Sequence, residues 1–182
     1  MTKNELQGIL NGCRADNRLS QKQLYRHFYR YGMNVSNRYA HSEEEAEEML
    51  NDAFLRIFMK IDMYDDNQSF LGWLHTIVVH AAINYLKKYQ NKPATTDMDL
   101  AQNIGFNDTA FAQMSADEIT SLVRQLPPSY RTAFNLSVVE GYSHVEIAKI
   151  LGISEGTARS NLMIARQKLQ IMVSQSNLIK NG

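Results

Sequence analysis

The stretch GYSHVEIAKILGISEGTARSNLMIARQKL, residues 141–169, decides how this chain is read. Apolar residues recur in it at steps of three and four, stop at Gly152 and resume behind Ser154. Ser143, with Glu146 three residues later, has the spacing of a helix N-terminus, and the helix behind it turns Ile147, Ala148 and Leu151 inward. Gly152 suits the left-handed residue that ends a helix. Ser154 then caps a second helix, with Ala158, Leu162, Ala165 and Leu169 along one face. The opposite face and first turn offer Glu155, Thr157, Arg159, Ser160 and Arg166, side chains that reach base edges and phosphates when such a helix lies in a major groove. Geometry alone leaves two readings open: a DNA-reading helix-turn-helix, or a helical hairpin packed in a core.

Outward from this stretch the rest of the chain is also helical in pattern, so the expected fold class is all-α. Leu24, Tyr25, Phe28, Tyr31 and Val35 mark an amphipathic helix over 20–39. Ser42, with acids in the turn behind it, opens a second over 42–61, whose stripe is Ala46, Met49, Leu50, Ala53, Phe54, Ile57 and Ile61. After the polar bend DMYDDNQS, residues 62–69, a third runs from Ser69 to about Tyr89, with Phe70, Trp73, Leu74, Ile77, Ala81 and Tyr85 on one side and Lys87 and Lys88 in its last turn. A weaker helix precedes Gly12. Residues 93–115 mix Thr, Asp, Asn and Gly with scattered apolar residues and read as a linker. A helix over 115–126 follows, stopped by Pro127 and Pro128, which also start the next, running to Gly141.

Two small helical domains fit within 182 residues, 44% of them hydrophobic. The longest nearly uncharged run, 69–86, is too polar for a membrane span, and the first residues lack the basic-then-apolar order of a signal peptide, so the expected compartment is the cytoplasm. Cys13 is the single cysteine and reads as an ordinary thiol. The net charge is zero but blocky: +5 over 1–40, −7 over 41–69, +3 over 70–92, −5 over 93–119 and +4 over 120–182. Such alternation suits a protein that meets nucleic acid with some faces and a basic or protein partner with others. His75 and His80 are not a metal pair, because five residues on a helix turn them about 140° apart. No HExxH, glycine-rich phosphate loop or nucleophile elbow is present, so neither catalysis, cofactor nor metal is expected.

Residues 126–169, LPPSYRTAFNLSVVEGYSHVEIAKILGISEGTARSNLMIARQKL, resemble region 4 of bacterial RNA polymerase sigma factors of the extracytoplasmic-function (ECF) group in the sigma-70 family. The front of the chain resembles region 2 of the same group at LYRHFY (24–29), EEAEEMLNDAFLRIF (44–58) and SFLGWLHTIVVHAAINYLKK (69–88). Two motifs in the family's order, about a variable linker, favour the DNA reading of the opening stretch. The resemblance spans roughly 20–92 and 117–172. It implies a region 2-like helical bundle at 1–92, an acidic linker at 93–116 and a region 4-like helix-turn-helix domain at 117–182.

Carried over position by position, the resemblance implies that Asn51, Asp52, Leu55, Arg56 and Phe58 bind core RNA polymerase at its clamp helices, with the flap as a second polymerase contact. Asn67, Gln68, His75, His80, Asn84, Lys87 and Lys88 would hold the melted minus-10 strand, which needs polar pockets, cations and stacking platforms. Trp73 lies in the apolar stripe, where a core role competes with a platform role. Ser154, Glu155, Thr157, Arg159, Ser160, Asn161 and Arg166 would meet minus-35 duplex. Many relatives carry a base where this chain has Ile164 and a bulkier Val where it has Ala158, which implies weak duplex binding by the isolated domain. Promoter DNA, core polymerase and an anti-sigma factor are the implied partners, without membrane insertion. The alternative is a stand-alone helix-turn-helix regulator that dimerises through its N-terminal helices.

Overall fold

The computed structural model describes residues 1–89 and 114–180, and within them every regular element is helical. The chain divides into two compact units between Tyr85 and Leu86. The linker expected over 93–116 lies outside the described residues as far as 113.

In the first unit α1 spans Lys3–Arg14, α2 Arg18–Ser36 and α3 Glu43–Met59, and α4, Phe70–Tyr89, belongs to it as far as Tyr85, with a 3-10 turn at Ile61–Met63 between α3 and α4. Thr2 and Glu5 start α1 as a reciprocal capping box. The expected helix before Gly12 runs past that glycine to Arg14, because Gly12 is a place of close approach: a Cβ there would collide with the Ser20 side chain of α2. Asn17 caps α2 by accepting from the Leu19 and Ser20 amides at 2.9 and 3.1 Å. Ser42 caps α3 by accepting from the Glu45 amide, while the Glu45 carboxylate reaches back to the His41 amide at 2.9 Å.

The expected α3 stripe, Ala46 to Ile61, is wholly buried. α4 differs from expectation: Val78, Val79, Ala82 and Ile83 are buried along with Leu74 and Ala81, so apolar surface wraps more than one side of it. Phe28 of α2 meets Phe70 of α4 at 5.2 Å between ring centroids, and Tyr64 lies against both Phe70 and Trp73 at 5.2 and 5.3 Å. Cys13 is buried, which pushes its thiol pKa up and keeps it protonated.

The second unit holds α5 (Ala116–Arg124), α6 (Pro128–Phe134), α7 (His144–Leu151) and α8 (Glu155–Lys180). α6 passes into a π-helical turn at Asn135–Val139, closed by the Glu140 amide on the Asn135 carbonyl at 3.0 Å, where the sequence suggested one helix to Gly141. Arg131 is fully buried and donates to the last carbonyl of α5, Arg124 O, at 3.2 Å. Val123, Leu126, Tyr130, Phe134, Leu162 and Leu169 form the core of this unit.

Candidate polymerase and promoter surfaces

α3 emerges with one side in the core and another outward. Met49, Phe54 and Ile57 are buried, whereas Asn51, Asp52 and Leu55 are exposed and Arg56 and Phe58 half-buried. The 3.6-residue period brings Asn51, Asp52, Leu55 and Phe58 into one arc of about 120° with Arg56 at its flank. Met59 continues that arc and is 84% exposed, next to Leu55 at 61%, so the acidic start of the helix leads into an uncovered apolar end. Tyrosines outside this helix brace it. Tyr25 donates to Asn51 Oδ1 at 3.1 Å, Tyr29 to Glu47 Oε1 at 3.0 Å and Tyr85 to Glu48 Oε2 at 2.7 Å.

On α4, His80, Asn84, Lys87 and Lys88 fall within about 100° of one another, with half-buried Trp73 and Ile77 on the same side. Lys88 Nζ lies 4.8 Å from the Tyr89 ring centroid. Desolvation, followed by the nearby Lys60 and Arg56 cations, holds the His80 imidazole below its ordinary pKa, so it is neutral at pH 7. His75 does not join this group. It stands about 180° round the helix from Asn84, and its Nδ1 is 2.9 Å from the Tyr31 hydroxyl, where it ties α4 to α2. Trp73 is neither fully core nor a free platform, since its ring packs on Tyr64 and Phe70 with one side half-exposed.

Asn67 and Gln68 occupy the bend before α4. The Asn67 backbone and side-chain N–H groups donate to Asp65 Oδ1 at 3.0 and 2.9 Å, and the Gln68 carbonyl accepts from the Tyr64 hydroxyl at 2.6 Å. Arg14 of α1 also reaches this bend, with an ion pair to Asp66 at 2.8 Å. The polar i, i+4, i+7 spacing of Gln7, Asn11 and Arg14 was the available sign of that contact.

In the second unit α7 begins with a reciprocal capping box, Ser143 N donating to Glu146 Oε2 at 2.8 Å and Glu146 N to Ser143 Oγ at 3.3 Å. It ends on Gly152 at φ 71°, whose amide donates to the Ala148 carbonyl at 2.9 Å. Ser154 Oγ then accepts from the Thr157 amide at 3.0 Å and starts α8. Ala158, Leu162, Ala165 and Leu169 are buried as expected. Glu155, Thr157, Arg159, Ser160 and Arg166 are exposed, and Arg159 Nη2 donates to Glu155 Oε1 at 2.8 Å in an i, i+4 pair. Asn161 is half-buried and about 200° from Arg159, so it lies off the arc that Arg159 and Arg166 share. The reading of Ile164 as a lost surface cation is corrected: only 8% of it is exposed, and it belongs to the core cluster with Tyr130 and Phe134.

Two families match the chain, sigma-70 region 2 over residues 24–92 and sigma-70 region 4 over 116–169. The ECF RNA polymerase sigma factor SigW of Bacillus subtilis (strain 168) is 30% identical over 142 residues, covering 69% of this chain and 74% of SigW. The chain belongs to the ECF RNA polymerase sigma factors. It is a transcription initiation factor that directs RNA polymerase to promoters. RNA polymerase sigma-H factor of Pseudomonas aeruginosa is 28% identical to this sigma factor, covering 72% of it and 75% of the relative. In fold it is similar to the sigma factor RpoE of Bartonella quintana, solved in complex with the anti-sigma factor NepR, at a TM-score of 0.50 and 19% identity over 84% of this chain and 96% of that one. Among the described residues no helix is long and apolar enough to cross a membrane, and no three His, Cys, Asp or Glu side chains are grouped to hold a metal ion.

Proposed function

We propose that this sigma factor acts in the cytoplasm by dividing promoter recognition between its two ends. The domain at 1–92 docks on the polymerase clamp helices through Asn51, Asp52, Leu55, Arg56 and Phe58, and captures the melted minus-10 strand. The acids of α3 steer encounter with a basic polymerase surface, and the apolar end at Leu55 adds desolvated contact. Asn67 and Gln68 take base edges, while His80, Asn84, Lys87 and Lys88 track the strand. The segment 93–116 links the domains along polymerase. The domain at 117–182 meets the flap and lays the first turns of α8 in the minus-35 major groove, with Ser154, Glu155, Thr157, Arg159 and Ser160 toward bases and Arg166 toward the backbone. An anti-sigma factor is the third partner this reading includes.

The observation that carries the reading is the bipartite match, regions 2 and 4 in family order on one chain. Run-off transcription with core polymerase on a randomised promoter library tests it. Enrichment of two separated elements is expected, with Arg159→Ala weakening selection at the upstream one alone. Tight promoter binding by the chain without polymerase, together with failure to co-elute with core polymerase in gel filtration, would overturn it in favour of a stand-alone regulator.

A further inference from the structure

The bend that carries Asn67 and Gln68 is held by a helix that precedes the region 2 match, which begins only at residue 24. Along one face of α1, Gln7 Nε2 donates to Asp66 Oδ2 at 3.0 Å, and Arg14 donates to Asp66 through both terminal nitrogens, at 2.8 Å to Oδ1 and 3.2 Å to Oδ2. Asn11 stands between them and accepts from Arg14 Nη1 at 3.0 Å and from Gln7 Nε2 at 3.4 Å. Arg14 Nη2 also reaches the Tyr64 carbonyl at 3.4 Å. At the other end of the bend the Tyr64 hydroxyl clasps the Gln68 carbonyl. The backbone is thus pinned from two sides. Asn67 Oδ1 and the Gln68 side-chain amide have no partner among the described residues and are exposed.

We infer that Gln7 and Arg14 are positioning residues for promoter selectivity: through Asp66 they fix the bend that presents Asn67 and Gln68 to the minus-10 bases. The inference rests on the reading of that bend as the base-capturing part of the protein. A guanidinium fork on a carboxylate sets distance and angle together, which a single point charge does not. Discrimination between bases requires the polar groups to be in place before the base arrives, because ordering a loose bend on binding dissipates binding energy on right and wrong bases alike. The side chains of Arg14 and Asp66 are 23% and 44% exposed, so water screens the pair and its main effect is on the geometry of the bend. The Arg14 hydrogen bond lowers the Asp66 pKa, which keeps the fork charged at neutral pH.

The test is run-off transcription by full-length chain and core polymerase on templates with a randomised minus-10 element, read by sequencing the transcripts. Arg14→Ala should reduce the preference for the best minus-10 sequences by about fivefold, leaving core affinity and minus-35 preference within about twofold. Exchanging the charges, Arg14→Asp with Asp66→Arg, should recover part of the loss, which a merely packing role for α1 would not predict. An unchanged minus-10 preference in Arg14→Ala, alongside a reduced one in Asn67→Ala/Gln68→Ala, overturns the inference and leaves the reading of the bend standing. An unchanged preference in Asn67→Ala/Gln68→Ala overturns that reading and the inference with it. Should thermal unfolding show Arg14→Ala to be misfolded, Asp66→Asn at its exposed carboxylate carries the same expectation, and an unchanged preference there is equally fatal.

Discussion

Between α7 and α8 the chain reverses on residues whose conformations are set by near neighbours: Ser143 and Glu146 cap one helix, Gly152 leaves it at φ 71°, and Ser154 opens the next. The bend between Tyr64 and Ser69 also has local bonds, from Asn67 to Asp65 Oδ1 and from the Tyr64 hydroxyl to the Gln68 carbonyl, but they are not all that holds it. Its form depends on Arg14, 52 residues before Asp66, and on aromatic rings of α4 that seat Tyr64. Two segments proposed to face the same promoter thus differ in how far distant residues shape them. A local turn can keep its form when distant residues change, whereas a bend pinned from afar can change its aim while its own sequence stays intact.

The largest effect separates the shape of the turn from its stability. Leu169→Ala, at a fully buried core position, should lower the unfolding free energy of the second unit by about 2–5 kcal/mol in urea denaturation. Gly152→Ala comes next, at about 1–2 kcal/mol. An added Cβ there meets nothing within 4 Å, so the cost is that of the left-handed backbone alone, and an unaltered urea midpoint would break the claim of local control. Ser143→Ala should remove about 1 kcal/mol by the same measurement.

The smallest effects are pH-dependent. Hydrogen bonds from the Ser143 backbone amide and then its side chain lower the Glu146 pKa, and the Arg14 hydrogen bond lowers that of Asp66. A carboxyl whose folded pKa is depressed contributes stability that is fully present above its unfolded pKa and is lost as pH falls through the folded one. Glu146→Gln should therefore flatten the acid side of the stability profile, and Asp66→Asn should do so through the first unit. For Asp66 the flattening should also appear in Arg14→Ala, because the hydrogen bond that lowers its pKa comes from Arg14, 52 residues away in sequence. Equal acid slopes in Asp66→Asn and wild type would remove the distant pin from the comparison.

Much of this was legible from periodicity and caps. The stripes on α3 and α8 are buried as the spacing required, and Ser42, Gly152 and Ser154 cap helices where the pattern placed them. Less legible were elements covered on a second side. Ile164 lies outside the α8 stripe and is nevertheless core, and Val78, Val79, Ala82 and Ile83 extend the buried surface of α4 beyond its stripe. His75 looked like a member of the strand-holding set, yet its partner is Tyr31, a residue 44 positions away.

The sequence by itself determined the all-α class, the helix-turn-helix and the family, because capping, helical period and motif order are properties of consecutive residues. Only the tertiary structure decided which polar side chains are spent on the protein itself. Whether His75, Asn51 or Asp66 faces outward or is tied to another helix depends on hydrogen-bond partners brought close by packing, and one-dimensional spacing does not encode those distances.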